Sequence, residues 1–287
     1  QGPMSEWIER IFENHVAEIV IADPRQNSWI AKDRNKNDKI DAEKLTRLYM
    51  GGFIKKIRSR SKEKSEFISL VIHYHSLVEQ MVRIKNQIGA KFRQCGKRKR
   101  GCGQYSSELI NYELKILDTN KGIKKAIENY SKQHDLLENQ KEEIKTRLYE
   151  YSKKYKEIDF LQEFAGIGFV GAFTLAALVD IPERFSSEKK IWIYCGYGLD
   201  RQSSGNNPGK PRITRRSNRL LKDVIMTAVH SIIEVDKTSD YKKWYLNEIT
   251  IGKDPRKVRA RLARKLIKDI WVKWRKFNEV NNFKKAA

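Results

Sequence analysis

IDFLQEFAGIGFVGAFTLAALVDIPERFSSEKKIWIYCGYGL, residues 158–199, is where the composition of this chain changes. Upstream, residues 105–157 are rich in Lys and Glu; here the chain is apolar and punctuated by glycine. The change sets the boundary of a helical C-terminal domain, expected over residues 158–287. Inside it, FAGIGFVG (164–171) has an apolar-Gly-apolar-Gly form between two helical runs, the form of a helix-hairpin-helix turn. Glycines let such a turn bend tightly, and the N–H groups freed at the following helix start can hold a phosphate. Gly166 and Gly168 are therefore candidate nucleic-acid contacts. A helix connection packed in the core calls for the same residues, and both readings stand.

The next stretch, DRQSSGNNPGKPRITRRSNRLL (200–221), reads as a polar, exposed loop feeding a basic helix start. Ser203 and Ser204 precede Gly205, and Arg201, Lys210, Arg212, Arg215, Arg216 and Arg219 surround them. A serine hydroxyl attacks phosphorus poorly unless a base activates it and cations stabilise the charge that develops. The loop offers the cations; it serves equally as a phosphate-binding loop without chemistry. The final helix, PRKVRARLARKLIKDIWVKWRKF, is strongly basic. Its Trp271 and Trp274 suit base stacking or, more commonly, the core face of an amphipathic helix.

Working back, residues 62–93 are helical in pattern, with Phe67, Leu70, Val71, Tyr74, Leu77, Val78, Met81, Ile84 and Ile88 on one stripe. CGKRKRGCG (95–103) breaks the pattern, and 105–157 resumes it with Leu114, Ile116, Leu117, Ile123, Ile127, Leu136, Leu137, Ile144 and Leu148 at roughly heptad spacing. Residues 61–157 thus predict a helical hairpin or coiled-coil arm, suited to a spacer or a dimerisation element.

Residues 1–3 read as a tag remnant, and 4–60 as a helix, a strand and a helix. AEIVIA (17–22) predicts a short buried strand, followed by a basic loop and a helix from Asp38 to Gly51-Gly52. A lone strand buries neither face, so this piece calls for strands from elsewhere. Asp38 and Asp41 lie one turn apart on one helix face. Asp38 as N-cap, with Asp41 in the first turn, is one reading. The other is coordination of Mg2+, which needs only one or two carboxylates plus phosphate oxygens.

The chain carries 59 Lys and Arg against 36 acidic residues, a formal net charge of +23. That field attracts polyanions, nucleic acid first among them. No apolar run is long enough to span a bilayer, and a prokaryotic cytoplasmic, nucleoid-associated location is expected. Three cysteines, Cys95, Cys102 and Cys195, argue against a disulfide framework. Their spacing, and that of His73 and His75, is not that of a zinc site.

Taken in order, these motifs resemble the DEDD insertion-sequence transposases related to the pilin-gene invertase, the bridge-RNA-guided recombinases. IVIADPRQNSWIAKDRNKNDKIDAEKLTRLY resembles the end of that family's RuvC-like domain, and FISLVIHYHSLVEQMVRIKNQIGAKFRQCG its helical arm. FAGIGFVGAFTLAALVDIPERFSSEKKIWIYCGYGLDRQSSG with GKPRITRRSNRLLK, and then YKKWYLNEITIGKDPRKVRARLARKLIKDIW, resemble its C-terminal transposase domain. The resemblance implies a mainly α fold with a partial α/β layer. It puts Asp38 and Asp41 on the last two acids of the metal-binding set and Ser204 on the nucleophile that forms a phosphoserine link with DNA; Ser203 remains the neighbouring choice. It further implies DNA duplexes and a structured noncoding guide RNA as partners, Mg2+ as cofactor, and a homo-oligomer, a dimer of dimers.

The same resemblance leads one to look for a first Asp on an initial strand and a Glu soon after it. Neither context occurs in this sequence, so a truncated RuvC-like domain is expected. A transposase or recombinase is then the first function, and a nucleic-acid-binding derivative that no longer cuts DNA is the alternative.

Overall fold

Long Lys/Glu-rich runs with an apolar residue at every third or fourth place form helices that bury one stripe and solvate the other. That rule accounts for most of the chain. In the computed structural model the residues described are 4–22, 37–54, 56, 61–97, 105–117, 119–200, 203–204, 207–208, 212–213, 217–236 and 238–286. They fall into two compact units, 1–65 and 66–287.

The first unit contains α1 (Ser5–Phe12) and α2 (Asp38–Met50). Neither is built around a core: α2 has no buried residue, and Trp7, Ile8, Ile11 and Phe12 of α1 are exposed. The buried strand expected at 17–22 does not form. Residues 18–21 have no regular structure, and Ala22 makes one isolated antiparallel bridge to Lys56. A β ladder needs a partner along its length, and among the described residues this segment finds one at a single position. Glu18 ties the unit together instead. It accepts a hydrogen bond from the Tyr49 hydroxyl at 2.8 Å and pairs with Lys56; the bond from Lys56 holds its carboxyl below the usual range.

The second unit carries α3 (Lys62–Gln94), α4 (Ser107–Lys115), α5 (Lys121–Lys154), α6 (Lys156–Gln162), α7 (Phe169–Val179), a 3-10 turn (Pro182–Arg184), α8 (Glu188–Tyr194), α9 (Arg219–Glu234), α10 (Asp240–Thr250) and α11 (Pro255–Ala286). The stripe expected on α3 is the buried one, with Phe67, Val71, Leu77 and Ile88 almost fully enclosed. The helical region expected over 105–157 is divided into α4, α5 and the start of α6. Asn120 accepts a hydrogen bond from the Ile123 N–H at 2.9 Å and restarts the chain as α5. Ile116 and Leu136, placed on the heptad stripe by spacing, are exposed.

Two apolar clusters result. The smaller lies among α3, α4 and α5 and includes Ile88, Phe92, Ile110 and Ile127. The larger joins α3, the end of α5 and everything from α6 to α11. The tryptophans of the last helix belong to it. Trp274 is 1% exposed, and the Trp271 indole N–H donates to Pro182 O at 2.9 Å. Among the described residues, no helix is long and apolar enough to cross a membrane.

Candidate active site

Residues 195–218 are built outward from the end of α8. Tyr197 and Gly198 both donate their N–H to Trp192 O, at 2.7 and 3.0 Å, and Asn218 donates to Tyr194 O at 3.0 Å. Two points on the chain, one leaving and one returning, are thus fixed on the last turn of one helix. The fit is close. Gly196 has φ +81°, where a Cβ would lie 2.9 Å from Ser217; at Gly198 a Cβ would fall 2.3 Å from Ile193 Cγ1. Tyr197 is 1% exposed, and its hydroxyl donates to Lys222 O at 3.2 Å. Burial raises that phenol well above its usual range. Arg264 of α11 donates to Tyr197 O at 3.4 Å, and Trp192 Nε1 donates to Arg264 O at 3.0 Å. Cys195, buried beneath, has its thiol pushed up to about 12, so it remains protonated and chemically quiet.

Beyond this base the described residues form two antiparallel pairs rather than the loop expected from the polarity of the segment. β1 (Leu199–Asp200) pairs with β4 (Arg212–Ile213), with Leu199 opposite Ile213 and Asp200 opposite Arg212. β2 (Ser203–Ser204) pairs with β3 (Asn207–Pro208), Ser203 opposite Pro208 and Ser204 opposite Asn207. Ser204 therefore sits at the last described pair before Gly205-Asn206, a dipeptide of the composition that hairpin connections favour. Pro208 lacks an N–H and suits a short two-stranded ladder. The sequence does carry the signal, two short β-capable runs around SSGNNPG, but six cations and several Gly and Pro residues mask it.

Of the candidate cations, Arg212 and Arg219 are exposed, the first on β4 and the second at the first position of α9. Asn218 caps α9, accepting from the Leu221 N–H at 3.2 Å. Arg201, Lys210, Arg215 and Arg216 lie outside the described residues, as do Gly205 and Cys102.

The glycine pair between α6 and α7 divides in role. Gly166, at φ +77°, is turned onto α9, where a Cβ would stand 2.4 Å from Ala228 O. Gly168 caps α7, is exposed, and has open space where a Cβ would be. The exposed N–H end of α7 thus lies at Gly168, while Gly166 lets two helices approach.

In the first unit Asn37, not Asp38, is the N-cap of α2, its Oδ1 accepting from the Lys39 N–H at 3.1 Å. Asp38 and Asp41 both lie in the first turn, where the helix dipole favours carboxylates. The cap role passes to Asn37, which holds the extended backbone that an N-cap requires. Asp38 is exposed; Asp41 is half-buried, and its Oδ1 is shielded without a hydrogen-bond partner among the described residues. An orphaned carboxylate oxygen one turn from an exposed carboxylate fits part of a Mg2+ ligand set. Among the described residues no group of three or more His, Cys, Asp or Glu comes together as a metal site.

Comparison with known families bears on the hairpin. Residues 158–244 match the Transposase IS116/IS110/IS902 family. The transposase-like segment runs from α6 through the anchored hairpin and α9 into α10, so Ser204 and its base at α8 both fall within it. No curated protein matched the chain.

Proposed function

We propose that this chain is a DNA transposase or recombinase in which Ser204 attacks a DNA phosphate. The observation that supports the reading is the transposase-family match over a segment in which Ser204 pairs with Asn207 between two anchors on α8. In the step proposed, Ser204 Oγ forms a bond to phosphorus and the bond to the leaving sugar oxygen breaks. The serine proton passes to a general base, and the leaving oxygen takes up a proton in turn. Arg212 and Arg219, exposed on β4 and α9, supply positive charge on the same segment of chain. Asp38 and Asp41 would hold Mg2+, which when bound would offer positive charge to a DNA phosphate. The structured guide RNA and the homo-oligomer implied by the resemblance complete the proposal, and the net charge of +23 suits a partner of that kind.

A second reading is a nucleic-acid-binding derivative without strand cleavage. It is favoured by the pairing of Asp38 with Asp41 alone, since among the described residues the two carboxylates have no third acidic or histidine ligand, and such a pair holds a divalent ion weakly.

Covalent trapping separates the two. The protein is incubated with labelled duplex DNA, its co-purifying RNA and Mg2+, then denatured and resolved. The first reading expects a protein–DNA adduct that survives Ser203→Ala and disappears in Ser204→Ala. Firm retention of nucleic acid with no adduct establishes the second.

A further inference from the structure

The last helix carries an unusual charge pattern for its length. α11 has twelve Lys and Arg against two acids, Asp269 and Glu279. α5, of nearly equal length, has nine against six, and its cations pair locally: Lys125 with Glu128, Lys145 with Glu142, Arg147 with Glu143. Local pairing of that kind solvates a helix and leaves little external field. α11 is built differently.

Its buried side is Val258, Leu262, Leu266, Ile270 and Trp274, stepping by four residues into the larger core. On the outward side Lys257, Arg261, Lys265, Lys268 and Lys276 are exposed, with half-buried Arg275 beside them. Steps of three and four residues, or their sums, put these six on one face. From Lys257 to Lys276 the ridge runs about 28 Å at the α-helical rise, the length of about eight base pairs of duplex.

Several of the cations are braced. The Arg261 guanidinium lies 5.5 Å and the Lys265 ammonium 5.9 Å from the centre of the Trp244 ring, and Arg275 lies 5.1 Å from that of Trp271. Arg261 also pairs with Glu248, and Lys268 with Glu188 at 2.9 Å. Lys257, Lys265, Arg275 and Lys276 have no carboxylate partner among the described residues. A straight, half-braced and largely unneutralised line of cations is suited to a rigid polyanion with regularly spaced charge.

We infer that the outward face of α11 is a docking ridge for the phosphodiester backbone of a DNA duplex. It touches phosphates and not base edges, since lysine and arginine lined along one helix face read charge and spacing rather than sequence. The inference deepens the proposed DNA-handling function and rests on it for the kind of polyanion. Its test requires no strand cleavage.

Binding to a 30-base-pair DNA duplex, the matching RNA duplex and polyglutamate is measured against salt, with wild type, K257Q/K265Q/K276Q, and a charge-matched K125Q/K145Q/R147Q variant of α5. Each phosphate that the protein no longer neutralises flattens the log–log salt slope by about 0.9. The ridge variant is expected to flatten the slope by about 3 and to bind duplex roughly 10- to 100-fold more weakly near 0.1 M salt. The α5 variant should leave both nearly unchanged. Glutamine is a good helix former at exposed sites, and Lys257→Gln alone, expected to lower the slope by about 1, covers any misfolding of the triple variant. A slope flattened with the RNA duplex and unchanged with the DNA duplex overturns the assignment to DNA. Equal slopes for wild type and ridge variant overturn the inference, as does a weakening confined to polyglutamate. A flattened slope without a Ser204-dependent adduct sinks only the catalytic reading, and an adduct with an unchanged slope sinks only the ridge.

Discussion

Replacing Gly166 by alanine tests whether the α6–α7 turn is a packing joint. Two costs combine. The residue sits at φ +77°, which a Cβ penalises by about 1–2 kcal/mol. The new methyl would also stand 2.4 Å from Ala228 O and 3.0 Å from its carbonyl carbon. Both atoms are backbone of α9, whose Ala228 and Val229 are fully buried, so relief requires a helix to move. Overpacking of that sort costs about 1–3 kcal/mol. The total, about 2–5 kcal/mol, corresponds to a drop in urea midpoint of about 1–2.5 M for a slope near 2 kcal/mol/M. Gly168→Ala is the matched control. It has open space and φ −85°, and loses only about 0.5–1 kcal/mol of cap preference. Urea unfolding followed by tryptophan fluorescence reads both. Equal midpoints for the two variants would refute the close-approach argument and return Gly166 to the role of a solvent-facing phosphate ligand.

Two further outcomes follow from the packing. His134 is 7% exposed, and neither ring nitrogen has a hydrogen-bond partner among the described residues; the Asp135 carboxylate is 3.9 Å from Nδ1. Burial, with Lys85 nearby, lowers its pKa. The folded arm therefore favours neutral histidine, and its stability is full above the ordinary value near 6.5 and falls as pH drops below it. Protection factors of α4 and α5 amides, the intrinsic exchange rate at each pH divided by the observed one, should fall between pH 7 and 5 in wild type and change less in His134→Phe; identical pH dependence would contradict the assignment. Trp274→Ala should cost about 3–5 kcal/mol and lower the melting temperature of the second unit by several degrees, read by circular dichroism at 222 nm. A change within error would remove Trp274 from the core.

Much of the helical architecture was legible in the sequence because the signal is local and repeated. The α3 stripe from Phe67 to Ile88 needs only its own spacing to be read. The core role of Trp274 was the commoner expectation for an aromatic pair on a basic helix, and the structure places it there. The failures were non-local. AEIVIA has strand composition, but a strand exists only if a partner runs beside it, and composition says nothing about partners. The hairpin at 199–213 was hidden for the opposite reason. Its pairing is supplied by the chain's own return, and the anchors that make the return possible, Trp192 and Tyr194 carbonyls on α8, are backbone atoms with no sequence signature. Asn37 displaced Asp38 as the cap by one position, because Asn37 holds the extended backbone from which its side chain reaches the Lys39 N–H. The α11 ridge was visible as charge but not as a face, because which cations a helix neutralises depends on neighbours such as Glu248 and Glu188.

The double anchorage at α8 also makes the hairpin a cassette. On either side of residues 199–217 the chain is held by bonds to the carbonyls of Trp192 and Tyr194, and Tyr197 and Cys195 are buried beside that anchor. Changes within the described strands should therefore leave the anchor at α8 in place. Exchange of that segment between transposase-like chains should then carry over whatever the hairpin touches, while the recipient keeps its own stability.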